Sequence, residues 1–230
     1  MDCLEALTTR SGVLDYRPDP VEKGLIEQVL NAAISAPSPA NLQAWSFVVV
    51  THPEKTRKLA HYLMDVQDRK VFQEFLGLQP EETGRYMRLY EMFDQVPCFI
   101  IICLEPKCHF TLPEHESILR DWYLLSLGAA VGNLMAAAKA FGLGTRWFGG
   151  FALDGGGQYL KELFSIPGDI EIAAVTPLGY PADSVRPRKR IEQSREELSA
   201  FEREDSRRLA QMLRGKLPLK DLIHYEKWVG

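Results

Sequence analysis

The chain has 230 residues, of which 46% are hydrophobic and 25% are charged. This is the composition of an ordinary globular protein of one or two domains, and no linker-like stretch divides it. Its 27 basic and 31 acidic residues give a net charge of −4, which offers no electrostatic case for binding nucleic acid or a membrane surface.

Targeting and metal signals are also absent from the pattern. The first residues do not read as a signal peptide, and no apolar run approaches the ~20 residues that span a bilayer. Four cysteines fit a reducing compartment, so we expect a cytoplasmic protein. The spacing of Cys103, Cys108, His109 and His115 matches no standard zinc pattern, so we expect no metal.

The amino-terminal part is predicted to contain two helices. A short helix at residues 2–9 leads into Arg10, Ser11 and Gly12, and the planar fork of an arginine suits a phosphate. The alternative is a turn with a solvated arginine. A second helix at about 20–34 has apolar residues three and four apart, which gives it one buried stripe.

Residues 36–45 are predicted to form an extended polar loop, because Pro37 and Pro39 each lack an N–H and disfavour helix. Ser38, Asn41 and Gln43 offer donors and acceptors that suit a planar heterocycle, although a polar connecting loop gives the same pattern. The apolar run at 47–50 then predicts a fully buried strand.

The middle of the chain is predicted to be helical, with one central strand. A helix that His52-Pro53-Glu54 caps carries Leu59, Leu63 and Val66, and residues 65–95 are charged and helical apart from a break at 77–80. In that stretch four side chains form either core or a lid over a ligand: Tyr86, Tyr90, Met92 and Phe93. Residues 98–104 read as the second central strand.

Residues 121–141 form the longest predicted helix, and its small side chains allow close packing of another helix. Gly142 suits a left-handed helix cap. Gly149 and Gly150 follow a helix, whereas a dinucleotide-binding loop precedes one, so we exclude that motif. They either allow the main chain to approach a flat ring or form a bulge at the end of a strand.

The carboxyl-terminal part is predicted to contain a helix at 158–164, a strand at 170–178 and a polar helix at about 191–213. An arm at 217–230 follows. Two basic pairs are candidate phosphate ligands: Arg188 and Arg190, or Arg214 and Lys216. Such clusters are more often solvated surface.

Several of these segments together resemble the FMN-dependent nitroreductase family. They are the Ala-Pro-Ser loop that ends at Trp45, the arginine segment around Arg10, the small-residue helix with Asn133, the glycines at 149 and 150, and the Leu-Gly-Tyr-Pro at 178–181. The resemblance implies an α+β fold with a central, mostly antiparallel sheet flanked by helices. It also implies a single domain over residues 1–230 that forms an interlocked homodimer.

The resemblance further implies FMN as cofactor and NADH or NADPH as reductant. The residues that it places around FMN are Arg10, Ser11, Gly12, Pro37, Ser38, Pro39, Asn41, Gln43, Gly149, Gly150, Arg214 and Lys216. The loop at 37–41 would come from the opposite protomer, and Arg214 and Lys216 would hold the phosphate in preference to Arg188 and Arg190. No catalytic side chain is expected, since the chemistry belongs to the cofactor.

Two residues depart from the family pattern. Gly12 stands where the family has a serine, and Leu14 stands where it has a cation close to the flavin pyrimidine. Arg17 and Arg146 are the candidates to replace that cation. The implied activity is reduction of flat, electron-poor acceptors, such as nitroaromatics and quinones, by ping-pong hydride transfer. The alternatives are a flavin destructase, a reductive dehalogenase, or a flavin-binding protein without turnover.

Overall fold

The computed structural model of the protein describes residues 1–87, 93–105 and 115–182, without the side chains of residues 81, 82, 85 and 86. All of them lie in one compact unit, Met1–Ser184. The predictions for the polar helix at 191–213 and the arm at 217–230 fall outside the described residues. The same holds for Arg188, Arg190, Arg214, Lys216, Tyr90 and Met92, and for the side chain of Tyr86.

The described part contains helices on both sides of one sheet. The helices are α1 (Cys3–Thr9), α2 (Lys23–Ile34), α3 (Pro53–Val66), α4 (Pro80–Met87), α5 (Glu116–Ala140) and α6 (Gln158–Phe164). The strands are β1 (Trp45–Val50), β2 (Cys98–Leu104), β3 (Gly144–Thr145) and β4 (Glu171–Gly179). A wide π-helical stretch, Gln67–Phe75, continues α3.

The four strands form an antiparallel sheet in the order β1-β2-β4-β3. The predicted α+β class with a central antiparallel sheet is therefore confirmed. The prediction that residues 47–50 are fully buried was wrong, because β1 lies at the edge of the sheet and Val49 is 40% exposed.

The side chains of strand β2 show that both faces of the sheet are covered. Successive side chains of a strand point to opposite sides. Ile100 and Ile102 pack in the core that contains α2 and α5, whereas Phe99 and Ile101 pack in the core that contains α3 and α6. With both faces buried, the strand needs no polar alternation, and all seven of its residues are buried.

Helix α5 begins at Glu116 instead of residue 121, and Gly142 ends it at φ 76°, as a left-handed cap requires. Among the described residues it is the one helix long and apolar enough to cross a bilayer. Leu127, Ala130 and Leu134 pack in the core beside α2, so the fold itself accounts for this apolar sequence.

One local prediction needs correction, and the structure bears on two others. The loop at 36–45 is not wholly extended, because Pro39 starts a 3-10 turn, Pro39–Asn41, in the first position where a missing N–H costs nothing. His52 is the N-cap of α3 and Pro53 occupies its first turn, although the His52 side chain makes no capping hydrogen bond. Phe93 is fully buried and contacts Phe99 and Phe148 ring to ring, so it is core and not part of a lid.

Candidate functional site

The first candidate site is a cleft of about 100 Å³ between the end of α1, the end of α5 and β3. We call it the cationic cleft, because Arg10 and Lys139 both line it, together with Ser11 and the main chain at 142–145. Helix α1 ends at Thr9, and the extended Arg10 donates its main-chain N–H to the Ala6 carbonyl at 3.1 Å. This turn directs the chain from α1 into the cleft.

The segment after Arg10 is fixed against β3. The N–H of Val13 donates to the Thr145 carbonyl at 2.9 Å, and Gly12 forms a parallel bridge with Thr145. A Cβ on Gly144 would lie 2.7 Å from the Val13 side chain, which leaves no room for any larger residue there. The two glycines thus let the Arg10 segment lie directly on the strand.

Gly12 also makes room for a cation. A Cβ at this position would lie 3.3 Å from Nη1 of Arg146, so the missing side chain leaves space that the guanidinium occupies. The main-chain N–H of Arg146 donates to Oγ1 of Thr176 at 3.4 Å. The Arg146 guanidinium lies 5.6 Å from the centre of the Phe148 ring. Of the two proposed substitutes for the missing family cation, Arg146 is therefore next to the predicted phosphate segment.

The other residues considered for that role lie elsewhere. Leu14 is buried in the core on the α3 side of the sheet. Arg17 pairs with Asp19 at 3.1 Å and lies 5.1 Å from the centre of the Tyr180 ring. Leu14 is a packing residue in this chain, and Arg17 is engaged with its own neighbours.

The second candidate site is an apolar cleft of about 440 Å³ beside the loop at 37–39. Its walls are Pro37, Ser38, Pro39, Trp122, Leu125, Ser126 and Ala129. Trp122 and Leu125 are 51% and 73% exposed, which is unusual for side chains of this size and type. The lining is almost wholly apolar and suits a flat hydrocarbon ring.

The loop beside this cleft has a strained main chain. Ala40, Asn41 and Gln43 all have positive φ, at 47°, 57° and 48°, in the left-handed region that non-glycine residues rarely adopt. Internal hydrogen bonds hold it: the Gln43 N–H donates to Oγ of Ser38 at 3.1 Å, and Nε2 of Gln43 donates to the Asn41 carbonyl at 3.3 Å. Strain of this kind collects at ligand-binding sites.

The two clefts lie on different parts of α5. The apolar cleft is lined by residues 122–129 and the cationic cleft by residues 135–139. At a rise of about 1.5 Å per residue, their centres are roughly 17 Å apart along the helix axis. The structure therefore brings Arg10 and Ser11 together, brings Pro37, Ser38 and Pro39 together, and keeps the two groups apart within one chain.

The predicted glycines at the end of the Trp147 segment have different surroundings. Among the described residues, a Cβ on Gly149 would have only Nε1 of Trp147 within 4 Å, at 3.8 Å, so these residues leave the main chain open to a ligand. A Cβ on Gly150 would lie 2.6 Å from Cγ2 of Val71, in the π-helical stretch. Gly150 is thus required for packing, and its flavin contact stays a prediction.

Acid, base and nucleophile candidates are few in the described part of the chain. Burial raises the pKa of the Cys98 thiol to about 12 and of the Cys103 thiol to about 11, so neither forms a thiolate at neutral pH. No three His, Cys, Asp or Glu side chains of the described residues cluster as a metal site requires. Cys98 and Cys103 are therefore packing residues of β2.

Sequence reasoning missed the second wall of each cleft. Trp122, Leu125, Ser126 and Ala129 recur three and four residues apart, so the helical period already put them on one face. Their exposure depends on what packs on that face, which a single sequence does not contain. Lys139 was missed because only the fold brings the end of α5 to Arg10.

The comparisons with known proteins agree with this architecture. The Nitroreductase family model matches residues 7–180. An NADH dehydrogenase of Thermus thermophilus is 26% identical over 83% of this chain and 92% of its own. An FMN reductase (NAD(P)H) of Bacillus subtilis is 27% identical over 84% and 71%. An iodotyrosine deiodinase of Danio rerio is 24% identical over 78% and 60%.

Solved structures show the same fold. A BluB-like flavoprotein of Clostridium difficile has a TM-score of 0.65 at 18% identity, covering 99% of this chain and 100% of that one. A nitroreductase of Desulfitobacterium hafniense with bound FMN has a TM-score of 0.61 at 19% identity, covering 80% and 92%.

Proposed function

Since this chain belongs to the nitroreductase family, we propose that it is an FMN-dependent oxidoreductase that uses NADH or NADPH to reduce flat, electron-poor acceptors. Nitroaromatics and quinones are the acceptor classes that we infer. The Bacillus subtilis FMN reductase (NAD(P)H) and the FMN-bound Desulfitobacterium hafniense nitroreductase support the choice of cofactor and reductant.

The observation that carries the proposal is the cationic cleft. Arg10, Lys139 and Ser11 line a space of about 100 Å³, and their guanidinium, ammonium and hydroxyl groups are the donor types that phosphate prefers. The mainly apolar lining of the 440 Å³ cleft fits the hydrocarbon edge of a flavin. The donors of the first cleft and the apolar walls of the second therefore fit FMN. Arg214 and Lys216 are proposed as further phosphate ligands.

A homodimer would explain the separation of the two clefts. We infer that the loop at Pro37, Ser38, Pro39, Asn41 and Gln43 serves the cofactor of the opposite protomer, as the family resemblance implies. The exposed Trp122 and Leu125 would then be covered by the partner. The whole chain, residues 1–230, would form one domain of this dimer, located in the cytoplasm.

The chain's own residues would bind and orient, and the cofactor would supply the reactivity. FMN, when bound, accepts a hydride from NAD(P)H and passes electrons to a second substrate. Arg10, Ser11 and Gly12 would hold its phosphate end, and Gly149 would present an unobstructed main-chain N–H to the ring. The apolar walls would exclude water from the ring edge. Because no acid or base is required of the protein, protons would come from solvent.

A second candidate is reductive dehalogenation on the same scaffold. The similarity to the Danio rerio iodotyrosine deiodinase favours it, although this chain covers only 60% of that protein. A flavin destructase is less favoured, because Leu14 is buried and Gly149 carries no side chain, which leaves no polar group at either position. A flavin-binding protein without turnover is the remaining alternative.

One experiment separates these functions. Purified protein is first examined for the visible absorbance of bound flavin. It is then incubated anaerobically with NADH or NADPH and with a nitroarene, a quinone or an iodophenol. Sustained NAD(P)H oxidation with a nitroarene or quinone supports the proposal, and iodide release supports dehalogenation. Bound flavin without turnover supports a binding protein, and protein that takes up no FMN refutes the proposal.

A further inference from the structure

We propose that Lys139 is a phosphate-binding residue that acts with Arg10 on the phosphate monoester of FMN. This inference rests on the FMN binding proposed above and adds a ligand that the sequence motifs do not contain. The same chemical group occurs in two molecules available to this enzyme, FMN and the 2′-phosphate of NADPH. The experiment below distinguishes them.

The two cations reach the cleft from different helices. Arg10 directly follows α1 as its C-cap, and Lys139 lies in the last turn of α5. Both line the cationic cleft, with Ser11 between the two helix ends in the same lining. Residues that are 129 positions apart thus face one small space, which is a matter of the fold and not of local sequence.

Neither cation has a partner in the part of the chain that the structure describes. No hydrogen bond or ion pair is recorded there for the Arg10 guanidinium or the Lys139 ammonium, whereas Lys23, Lys58 and Lys70 each pair with a glutamate. Neither cation is therefore engaged by another described residue, and an anion in the cleft that both line would be attracted to both charges. The arrangement points to an anionic ligand.

Lys139 is not needed to bond the carbonyls at the end of α5. A lysine in the last turn often bonds to carbonyls that lack partners. Here the carbonyls of Ala137, Ala138 and Lys139 accept the N–H groups of Phe141, Leu143 and Gly142 at 2.8–3.0 Å. These three carbonyls are thus satisfied by main-chain N–H groups and do not require the Lys139 ammonium.

The combination of residue types suits a phosphate monoester. A guanidinium gives two parallel bonds to phosphate oxygens, an ammonium gives a compact charge, and a hydroxyl gives a further donor. A neutral ribityl hydroxyl gains much less binding free energy from these donors. Lys139 therefore favours FMN over riboflavin, which has the same ring and lacks the phosphate.

The test measures dissociation constants of FMN and riboflavin for the full-length, flavin-free protein by quenching of flavin fluorescence. Lys139→Gln and Lys139→Met remove the charge, Lys139→Arg keeps it, and Lys23→Gln on the exposed face of α2 is the matched control. We expect each neutral variant to weaken FMN by about tenfold, because a charged hydrogen bond to phosphate is lost. The riboflavin dissociation constant of the neutral variants should change less than twofold. The same holds for both dissociation constants of Lys139→Arg and of the Lys23→Gln control.

Three outcomes would overturn the proposal. They are unchanged FMN affinity in both neutral variants, equal losses for FMN and riboflavin, and a rise confined to the KM of NADPH and absent for NADH. A rise confined to the KM of NADPH would mean that the cleft binds the 2′-phosphate of NADPH. If the unmodified protein binds no FMN at all, the proposed function fails first, so the two failures are distinguishable. Since Lys139 is partly exposed, all variants should keep the melting temperature of the parent.

Discussion

The side-chain amide of Asn133, in α5, donates to the main-chain carbonyl of Ala32, in the last turn of α2, at 3.2 Å. The last carbonyls of a helix lack partners within it, and here a residue 101 positions away supplies one. The bond joins the two helices that cover one face of the sheet. It gives a structural reason for the asparagine that marks this helix in the sequence.

Asn133→Ala should therefore destabilise the fold. The Ala32 carbonyl keeps a weaker bond from the Ser35 N–H at 3.3 Å, so the expected loss is about 0.5–1.5 kcal/mol. Asn31→Ala, an exposed position of α2, controls for the higher helix propensity of alanine. Urea unfolding of both variants provides the measurement, and equal stability of the two would show that the bond contributes nothing.

A second prediction separates the two neighbouring glycines. An added methyl at Gly150 would lie 2.6 Å from Cγ2 of Val71, whereas one at Gly149 would lie 3.8 Å from Nε1 of Trp147, its one neighbour within 4 Å in the described part of the chain. Gly150→Ala should cost about 1–3 kcal/mol through overpacking, and Gly149→Ala should cost less than about 0.5 kcal/mol, as an unobstructed surface position.

The double variant Gly150→Ala/Val71→Ala removes the clashing methyl groups and should recover part of the lost stability. Thermal unfolding of the parent, Gly149→Ala, Gly150→Ala and the double variant tests this. In the flavin assay, Gly149→Ala should weaken FMN and riboflavin alike, because it would obstruct the ring and not the phosphate. A stable Gly150→Ala variant would refute the packing role.

The sequence predicted those parts of the fold that depend on local pattern. Apolar residues three and four apart located the cores of several helices, continuous apolar runs located β1, β2 and β4, and Gly142 marked the end of α5, whereas the short β3 was not predicted. The exposure of Val49 could not be predicted, and both core and lid stayed open for Phe93, because exposure depends on which strand lies at the sheet edge and which helix covers it. The candidate site divides in the same way: the Arg10 and Pro37 segments are local motifs, whereas Lys139 and Trp122 depend on tertiary packing.

Tyr16 predicts a loss of stability at high pH. The side chain is buried, donates its hydroxyl to the Val13 carbonyl at 3.1 Å, and contacts the edge of the Phe93 ring. Burial raises the pKa of Tyr16 well above its ordinary value, while the charge of Arg146 opposes this in part. The unfolded chain therefore loses the proton first, at about pH 10, and stability falls as the pH rises beyond that value.

Tyr16→Phe should remove this decline. At pH 7 the variant loses a hydrogen bond and should be about 1 kcal/mol less stable. Above about pH 10 the gap should narrow by up to about 1.4 kcal/mol per pH unit. Urea unfolding at pH 7, 9 and 10.5 measures the gap. A gap that stays constant over this range would show that Tyr16 does not control the alkaline limit.

Arg10→Ala tests the predicted phosphate contact directly. Loss of a charged hydrogen bond to phosphate should weaken FMN by about 1–3 kcal/mol, with riboflavin unaffected. Arg57→Ala, on the exposed side of α3, is the matched control and should leave both constants unchanged. An unaltered FMN constant in isothermal titration of Arg10→Ala would remove this arginine from the site.

Leu125→Glu tests whether the apolar cleft is an interface between two copies of the chain. Leu125 is 73% exposed in the single chain, so a glutamate there should change the monomer's stability by no more than about 0.5 kcal/mol.

In the proposed homodimer the same carboxylate would be buried against apolar walls without a partner, which is strongly unfavourable. The variant should therefore dissociate and lose bound flavin together, because each flavin would need the Pro37 loop of the other protomer. Leu153→Glu, at a 46% exposed position in the turn Gly150–Leu153, should do neither. Light scattering after gel filtration and the ratio of flavin to protein absorbance measure both effects, and a dimeric, flavin-loaded Leu125→Glu protein would place the interface elsewhere.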